Sequence, residues 1–338
     1  MSQVSVARQF GERSEDVVLS VRGLSVDFRG KRGSVVHALR NVSFDVHQQD
    51  ILSIVGESGS GKTTLARCIA RLTTPTRGSI IYNNVDVASL KRKSLFDYRR
   101  AVQMIFQDPF ESLNPKQDVF TTISSPIRYL LGEKNQSALY GAVTKLLEEV
   151  GLEPERVMYR YPHQISGGER QRVSIARALA PNPRVLIADE PITMLDSAQR
   201  LNILSILRDL RTKRNLTIVM ITHDLASAKL LSNKTIVLYR GNVIEAGGTG
   251  SILASPHHPY TELILASMPD LNARRPALEG SSADWGDVSA LPAKGCIFRP
   301  RCRYATSVCA EVEPDLSEKS PGHVAACHNA LNPSPAHS

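Results

Sequence analysis

One stretch of nine residues, Gly56-Glu57-Ser58-Gly59-Ser60-Gly61-Lys62-Thr63-Thr64, constrains this chain more than any other. It follows the apolar run Ile51-Leu52-Ser53-Ile54-Val55, which predicts a buried strand, and precedes a helical pattern with Leu65, Ile69 and Leu72 on one stripe. Strand, glycine-rich loop and helix, with G-x-x-x-x-G-K-[ST] in the loop, is the phosphate-binding P-loop in the context it needs. Glycines let the backbone wrap closely enough for several N–H groups to converge on one anion, and the helix dipole aims its positive end there. Lys62 then reaches the β- and γ-phosphates, and the Thr63 hydroxyl ligates Mg²⁺. The loop predicts binding of a nucleoside triphosphate.

At 338 residues the chain suits one large domain plus an accessory one, and 42% hydrophobic with 22% charged residues is ordinary for a soluble globular protein. No apolar stretch approaches the ~20 residues that span a bilayer. Met1 to Asp16 is polar and mixed in charge, unlike a signal peptide, so the expected place is the cytoplasm, with any membrane role arising through a partner. A net charge of +8, with Lys91-Arg92-Lys93 and Arg99-Arg100 clustered, admits anionic lipid or nucleic acid. With Asp97 among the positives, a solvated helix face explains the cluster better.

Residues 17–46 alternate in short runs (Leu19 and Val21, Val26 and Phe28, Val42, Phe44 and Val46) broken by Arg29-Gly30-Lys31-Arg32-Gly33, which predicts an antiparallel hairpin sheet. Phe28 is the best-placed ring to stack on a nucleotide base, a plain core phenylalanine being the competing reading. A strand pair at 79–88, a charged helix at 89–100 and the strand 102–106 follow, the last ending at Gln107. From about 110 to 165 the pattern is helical, with Leu139, Val143, Leu146, Leu147 and Val150 on one stripe: an insertion in the α/β core.

Ser166-Gly167-Gly168-Glu169 opens a helix and offers a second anion-binding device of backbone N–H groups, although by itself Ser-Gly-Gly is an ordinary capped turn. Arg184-Val185-Leu186-Ile187-Ala188 is a strand ending in Asp189-Glu190. Asp189 sits where a Mg²⁺-water ligand belongs, and Glu190 can orient or deprotonate an attacking water. The strand Thr217–Thr222 ends at His223, on the same sheet edge, where open α/β sheets gather ligands. A hairpin is expected at 235–246. Residues 270–295, rich in Pro, Gly, Ser and Ala, read as a linker, and the last ten residues as disordered.

Together these motifs resemble the ATP-binding subunits of ABC transporters over roughly residues 16–330. The P-loop, Gln107, Ser166 to Glu169, Asp189-Glu190, Leu195-Asp196 and His223 stand in that family's order. The resemblance implies an α/β fold: a P-loop (RecA-like) ATPase core with an antiparallel β subdomain and a helical insertion, plus a small Cys-containing C-terminal extension. The expected boundaries are a flexible 1–15, a nucleotide-binding domain at 16–254 with its helical subdomain at about 110–175, an extension at 255–330, and a disordered 331–338. It further implies ATP hydrolysis, with Glu190 as catalytic base, His223 as γ-phosphate switch, and Gln107 touching Mg²⁺ and the water. The signature Ser166 to Glu169 would complete the ATP site of a second subunit in a head-to-tail dimer, and the loop at Asp196 would face that partner. Ile165 and Glu169 stand where the signature has Leu and Gln, and Thr193-Met194 replace a pair of small residues.

Finer resemblance to dipeptide, oligopeptide and nickel importers rests on Phe106 to Pro115, Tyr161-Pro162-His163, Ser255 to Thr261 and the terminal cysteines. It implies a heterodimer with a paralogous ATPase of which this chain is the second type, two membrane permease subunits, an extracytoplasmic solute-binding protein, and a place on the cytoplasmic face of the membrane. The solute implied is a di- or oligopeptide, with an oligosaccharide or nickel as alternatives. Cys68 stands alone on the P-loop helix as a small packed side chain, whereas Cys296, Cys302, Cys309 and Cys327 crowd the last 43 residues. Their C-x5-C-x6-C-x17-C spacing matches a segment that holds a [4Fe–4S] cluster in relatives; four thiolates also suit Zn²⁺, or stay empty. DNA-repair ATPases of this class insert long coiled coils, but only 58 residues separate Gln107 from Ser166, so no nucleic-acid partner is expected.

Overall fold

A computed structural model describes residues 16–30, 34–108, 112–267, 292 and 294–331. The hairpin expected before the P-loop is present: β1 (Val17–Arg29) pairs antiparallel with β2 (Val35–His47), and β4 (Arg77–Tyr82) and β5 (Val85–Asp86) extend it in the order β2-β1-β4-β5. Between them run β3 (Ile51–Val55) and the P-loop helix α1 (Lys62–Ile69). The charged segment forms α2 (Arg92–Ala101), whose Lys91-Arg92-Lys93 end and Arg99-Arg100 lie exposed, as a solvated face requires. Next come β6 (Val102–Ile105), then the insertion helices α3 (Val119–Pro126), α4 (Gln136–Glu149) and α5 (Pro154–Val157). The chain returns through α6 (Gly167–Leu179), β7 (Val185–Asp189), α7 (Ser197–Arg214), β8 (Thr217–Thr222), α8 (Leu225–Leu231), β9 (Lys234–Tyr239) and β10 (Asn242–Gly248).

The central sheet is ordered β11-β12-β10-β9-β3-β8-β7-β6. Its P-loop half is parallel, with β3 between β8 and β9 and with β7 between β8 and β6. Every residue of β3, β7, β8 and β9 is buried, as expected of parallel strands covered on both faces, and their sequences are accordingly mostly apolar. The C-terminal ends of β3, β7 and β8 deliver the P-loop, Asp189-Glu190 and His223 to one edge.

The C-terminal extension is no separate appendage. After α9 (Thr249–Ala254) and α10 (Pro259–Ala266), the chain returns through α11 (Val308–Glu311), β11 (Ser317–Ser320) and β12 (His323–Ala325). β12 then pairs with β10 through Glu245↔Ala325 and Ala246↔Val324. Tyr239 of β9, Tyr260 of α10 and Phe298 form an aromatic knot with centroids 4.6, 5.4 and 5.5 Å apart. All three are buried. Such pairs add about 0.5–1.5 kcal/mol each beyond area burial, enough to fix the segment on the core. The expected linker at 270–295 lies almost wholly outside the described residues, as do 1–15 and 332–338. The expected disorder of the last ten residues begins too early. Asn329 donates to the Tyr304 carbonyl at 3.1 Å, and the Leu331 N–H donates to the His257 carbonyl at 3.0 Å.

Candidate functional site

Steric demands fix the P-loop. Gly61 has φ 101°, and a Cβ there would stand 2.3 Å from the Ala38 carbonyl oxygen; one at Gly56 would stand 2.1 Å from that of Leu238. Both positions exclude any side chain. Gly61 is also the N-cap of α1, with no side-chain cap and no acidic residue in the first turn, so the positive end of the helix is left for an anion. Lys62 is buried, its Nζ donating to the Gly56 and Glu57 carbonyls at 2.7 and 2.8 Å and to Ser60 Oγ at 3.3 Å. Burial pulls its pKa down, opposed by Glu190, Asp189 and Glu57.

Thr63 Oγ1 donates to Asp189 Oδ1 at 3.3 Å, bringing together the hydroxyl and carboxylate expected around Mg²⁺. Burial, with Glu190 adding and the Thr63 bond opposing, pushes the Asp189 carboxyl up to about 6. Binding of a divalent cation would displace the proton of such a carboxyl to solvent, and this donor set fits Mg²⁺.

The third group centres on Glu190. Its φ of 46° places a non-glycine residue in the left-handed region, a strain of roughly 1–3 kcal/mol of the kind concentrated at active sites. Its N–H donates to the Ile221 carbonyl at 2.9 Å, so the residue turns out of the sheet edge at a fixed angle. Three side chains then meet at Oε2: Gln107 Nε2 at 3.2 Å, Thr193 Oγ1 at 2.9 Å and His223 Nδ1 at 3.5 Å. Glu57, Ser58, Gln107, Glu190 and His223 line one open cleft. The arrangement can hold a triphosphate by its P-loop and place a base beside the terminal phosphate.

The signature residues are not among those lining this cleft. Ser166 and Glu169 form a capping box: Ser166 Oγ accepts from the Glu169 N–H at 3.3 Å, and Glu169 Oε2 accepts from the Ser166 N–H at 2.8 Å. Glu169 also pairs with Arg156. A Cβ at Gly167 would meet nothing within 4 Å, so this helix start presents bare backbone to open space. Asp196 caps α7 by accepting from the Gln199 N–H at 2.8 Å, beside an exposed Met194. Phe28 is 47% exposed, so the core reading fails.

These features coincide with known proteins. Residues 39–193 match the ABC transporter family and residues 244–309 match the oligopeptide/dipeptide transporter C-terminal region. The chain is 39% identical over 318 residues to a putative peptide import ATP-binding protein of Brucella ovis, covering 93% of this chain and 98% of that one. Against the oligopeptide transport ATP-binding protein AppF of Bacillus subtilis it is 38% identical over 308 residues, covering 89% and 92%. The chain belongs to the ATP-binding subunits of ABC transporters. A solved dimeric ATP-binding cassette in a post-hydrolysis state with ADP and Pi superposes with a TM-score of 0.63 at 30% identity, covering 68% of this chain and 98% of that one.

As an ABC transporter ATPase the subunit hydrolyses ATP, and its family implies permeases as membrane partners. Among the described residues no helix is long and apolar enough to cross a membrane.

The cysteine expectation is only partly met. Cys68 is buried as a packed side chain, and Cys296, Cys302, Cys309 and Cys327 line one small cavity with His258 and Phe298. Yet no group of three or more metal-ligating side chains among the described residues is arranged to hold an ion. The iron–sulfur expectation is corrected to that extent: the four thiols converge on one cavity without forming a coordination shell. Burial, opposed by a backbone hydrogen bond to each and reinforced by neighbouring cysteines, pushes the Cys302 and Cys327 thiols up to about 11, so they stay neutral without a cation beside them.

Sequence reasoning missed Thr193, Tyr260 and Arg301. Tyr260 Oη accepts from the Glu57 N–H at 2.8 Å, and Arg301 grips the Glu57 carboxylate. Both come from beyond residue 254, where no P-loop pattern points.

Proposed function

We propose that this subunit energises import of di- or oligopeptides, an oligosaccharide or nickel being the alternative cargo. The naming of the relatives and the C-terminal region favour peptides. In this reading Gly56, Glu57, Ser58, Gly59, Ser60, Gly61, Lys62, Thr63 and Thr64 bind ATP, with Phe28 stacked on its base. Thr63, Gln107 and (through water) Asp189 would hold Mg²⁺, which neutralises charge building on the phosphates.

Convergence of Gln107, Thr193 and His223 on one oxygen of Glu190 is the observation that carries the mechanism. Gln107 and Thr193 fix the carboxylate's orientation. Glu190 takes the proton of the attacking water, and His223 reports on the γ-phosphate from the same oxygen. Lys62 leaves the loop carbonyls for the phosphates. The signature Ser166, Gly167, Gly168 and Glu169 completes the site of a paralogous second ATPase, consistent with its absence from the cleft of its own chain. Asp196 lies in the loop facing that partner. Two permeases and an extracytoplasmic solute-binding protein complete the importer, this subunit lying on the cytoplasmic face of the membrane.

Cys296, Cys302, Cys309 and Cys327 are the residues that would hold a [4Fe–4S] cluster or Zn²⁺; what favours this is four thiols on one cavity. Glu190→Gln should lower steady-state hydrolysis by about 10²–10⁴-fold while ATP still binds. Undiminished turnover by that variant refutes the base. Uptake of a labelled tripeptide by cells with and without the subunit separates peptide from sugar or nickel cargo.

A further inference from the structure

Glu57 poses a problem that the phosphate-binding pattern does not answer. It occupies a variable position of the P-loop and lines the same cleft as Glu190 and His223, so a free carboxylate there would repel the triphosphate. Nothing in phosphate binding calls for it. Its partner comes from 244 residues along the chain: Arg301 Nη1 donates to Glu57 Oε2 at 2.8 Å and Nη2 donates to Oε1 at 3.0 Å. This is the fork-to-fork geometry in which a guanidinium holds a carboxylate in position as well as neutralising it.

The seat of Arg301 is built. Its side chain is only 7% exposed. The guanidinium carbon lies 5.8 Å from the Tyr239 ring centre and 5.7 Å from that of Phe298. Its backbone N–H donates to the Phe298 carbonyl at 3.0 Å, closing a turn between Cys296 and Cys302. The Nε is buried with no hydrogen-bond partner among the described residues, so the two Nη groups orient this side chain, through both carboxylate oxygens of Glu57 and a further side-chain hydrogen bond with Tyr239. Tyr260 holds the backbone of the same P-loop residue, and Leu263 and Ile264 of α10, with its C-cap Ser267, join Arg301 along the cleft. The C-terminal segment thus forms a wall of the nucleotide site.

We propose that Arg301 is a positioning residue for ATP: clasping Glu57, it removes a negative charge from the path of the phosphates and fixes the opening turn of the P-loop. The four-cysteine segment that carries Arg301 is in this way a working part of its own chain's ATP site. Anything that rotates the turn between Cys296 and Cys302 loosens the clasp.

A fluorescent ATP analogue with Mg²⁺, titrated against the full-length chain, tests this directly. Arg301→Gln should weaken binding about tenfold, since it strips the neutralising partner from a carboxylate in the cleft. In the Glu57→Gln background the same change should have little further effect, the double variant binding within about twofold of the Glu57→Gln single variant. A role confined to packing on Tyr239 and Phe298 would instead make the two losses multiply, because the aromatic seat is emptied in either background. Arg301→Lys keeps the charge without the fork, and should fall between parent and Arg301→Gln. Binding by Arg301→Gln within twofold of the parent, or a double variant as weak as the product of the singles, overturns the proposal. Lys62→Ala is the separate control: it should lose the nucleotide whatever stands at 301, and retention there would indict the P-loop assignment instead.

Discussion

Replacing His323 by leucine should unfasten the C-terminal segment, and the expected size follows from what surrounds Glu245. That glutamate is fully buried in β10 and has three donors. His323 Nε2 stands 2.6 Å from Oε1, the His257 N–H donates to Oε1 at 2.7 Å, and the His258 N–H donates to Oε2 at 3.1 Å. Leucine at 323 removes the side-chain donor and leaves the carboxylate inside the protein with two backbone amides. Stripping one partner from a buried pair costs about 3–5 kcal/mol; the surviving amides place this case near 3 kcal/mol. It also loses the ring contact with His257, whose centroid is 4.4 Å away. For a chain of this size the midpoint should fall by roughly 4 °C in differential scanning calorimetry. Because β12 meets β10 over only two residue pairs, new protease cuts should appear between residues 317 and 331. His323→Gln can place an amide N–H near the same point and should recover most of the loss. A leucine variant melting within 2 °C of the parent, or glutamine and leucine variants melting alike, would refute the reasoning.

Other outcomes test separate parts of the molecule. Asp50 is held down to about 2: burial alone would raise it, but bonds from His47 and Asn233 and the Lys234 charge outweigh that. Its folded pKa lies below the ordinary 3.8, so the unfolded chain binds more protons between these values. About 2 kcal/mol of stability is therefore present above pH ~4 and lost as pH falls towards 2. Asp50→Asn should flatten acid unfolding in that window while destabilising the protein at neutral pH, where the buried Lys234 loses the Asp50 charge; urea titrations at stepped pH read both. Gly61→Ala should abolish detectable ATP binding by isothermal titration, since its Cβ falls 2.3 Å from a carbonyl oxygen. Anaerobic purification followed by a visible spectrum and metal analysis decides what the four cysteines hold: a brown protein with about four irons per chain would support the proposed cluster. A colourless chain carrying zinc would move the four cysteines to a zinc site, and a colourless metal-free chain would leave them as packed thiols.

Much of the candidate site's geometry was legible in the sequence because its pieces are local. A P-loop announces itself in nine consecutive residues, and an acidic pair or a histidine directly after an apolar strand lands on the strand's C-terminal edge whatever the rest of the fold does. The amphipathic stripe through Leu139, Val143, Leu146 and Leu147 likewise became one helix with those side chains buried. Phe28 shows the limit: alternation placed it on a strand, but which face meets solvent depends on a sheet whose other strands lie elsewhere in the chain.

What only the tertiary structure decided is every contact made across long separations. Thr193 looked like a departure from a loop pattern until it reached Glu190. Arg301 looked like one basic residue among cysteines until the aromatic knot of Tyr239, Tyr260 and Phe298 carried it onto Glu57. The cysteine spacing named a donor set, yet where those thiols stand depends on a cavity that no spacing encodes. Local patterns fix backbone shape and strand edges, since they arise from neighbouring residues. Charge pairing and burial between distant segments come from packing, and packing made the C-terminal segment a wall of the P-loop cleft.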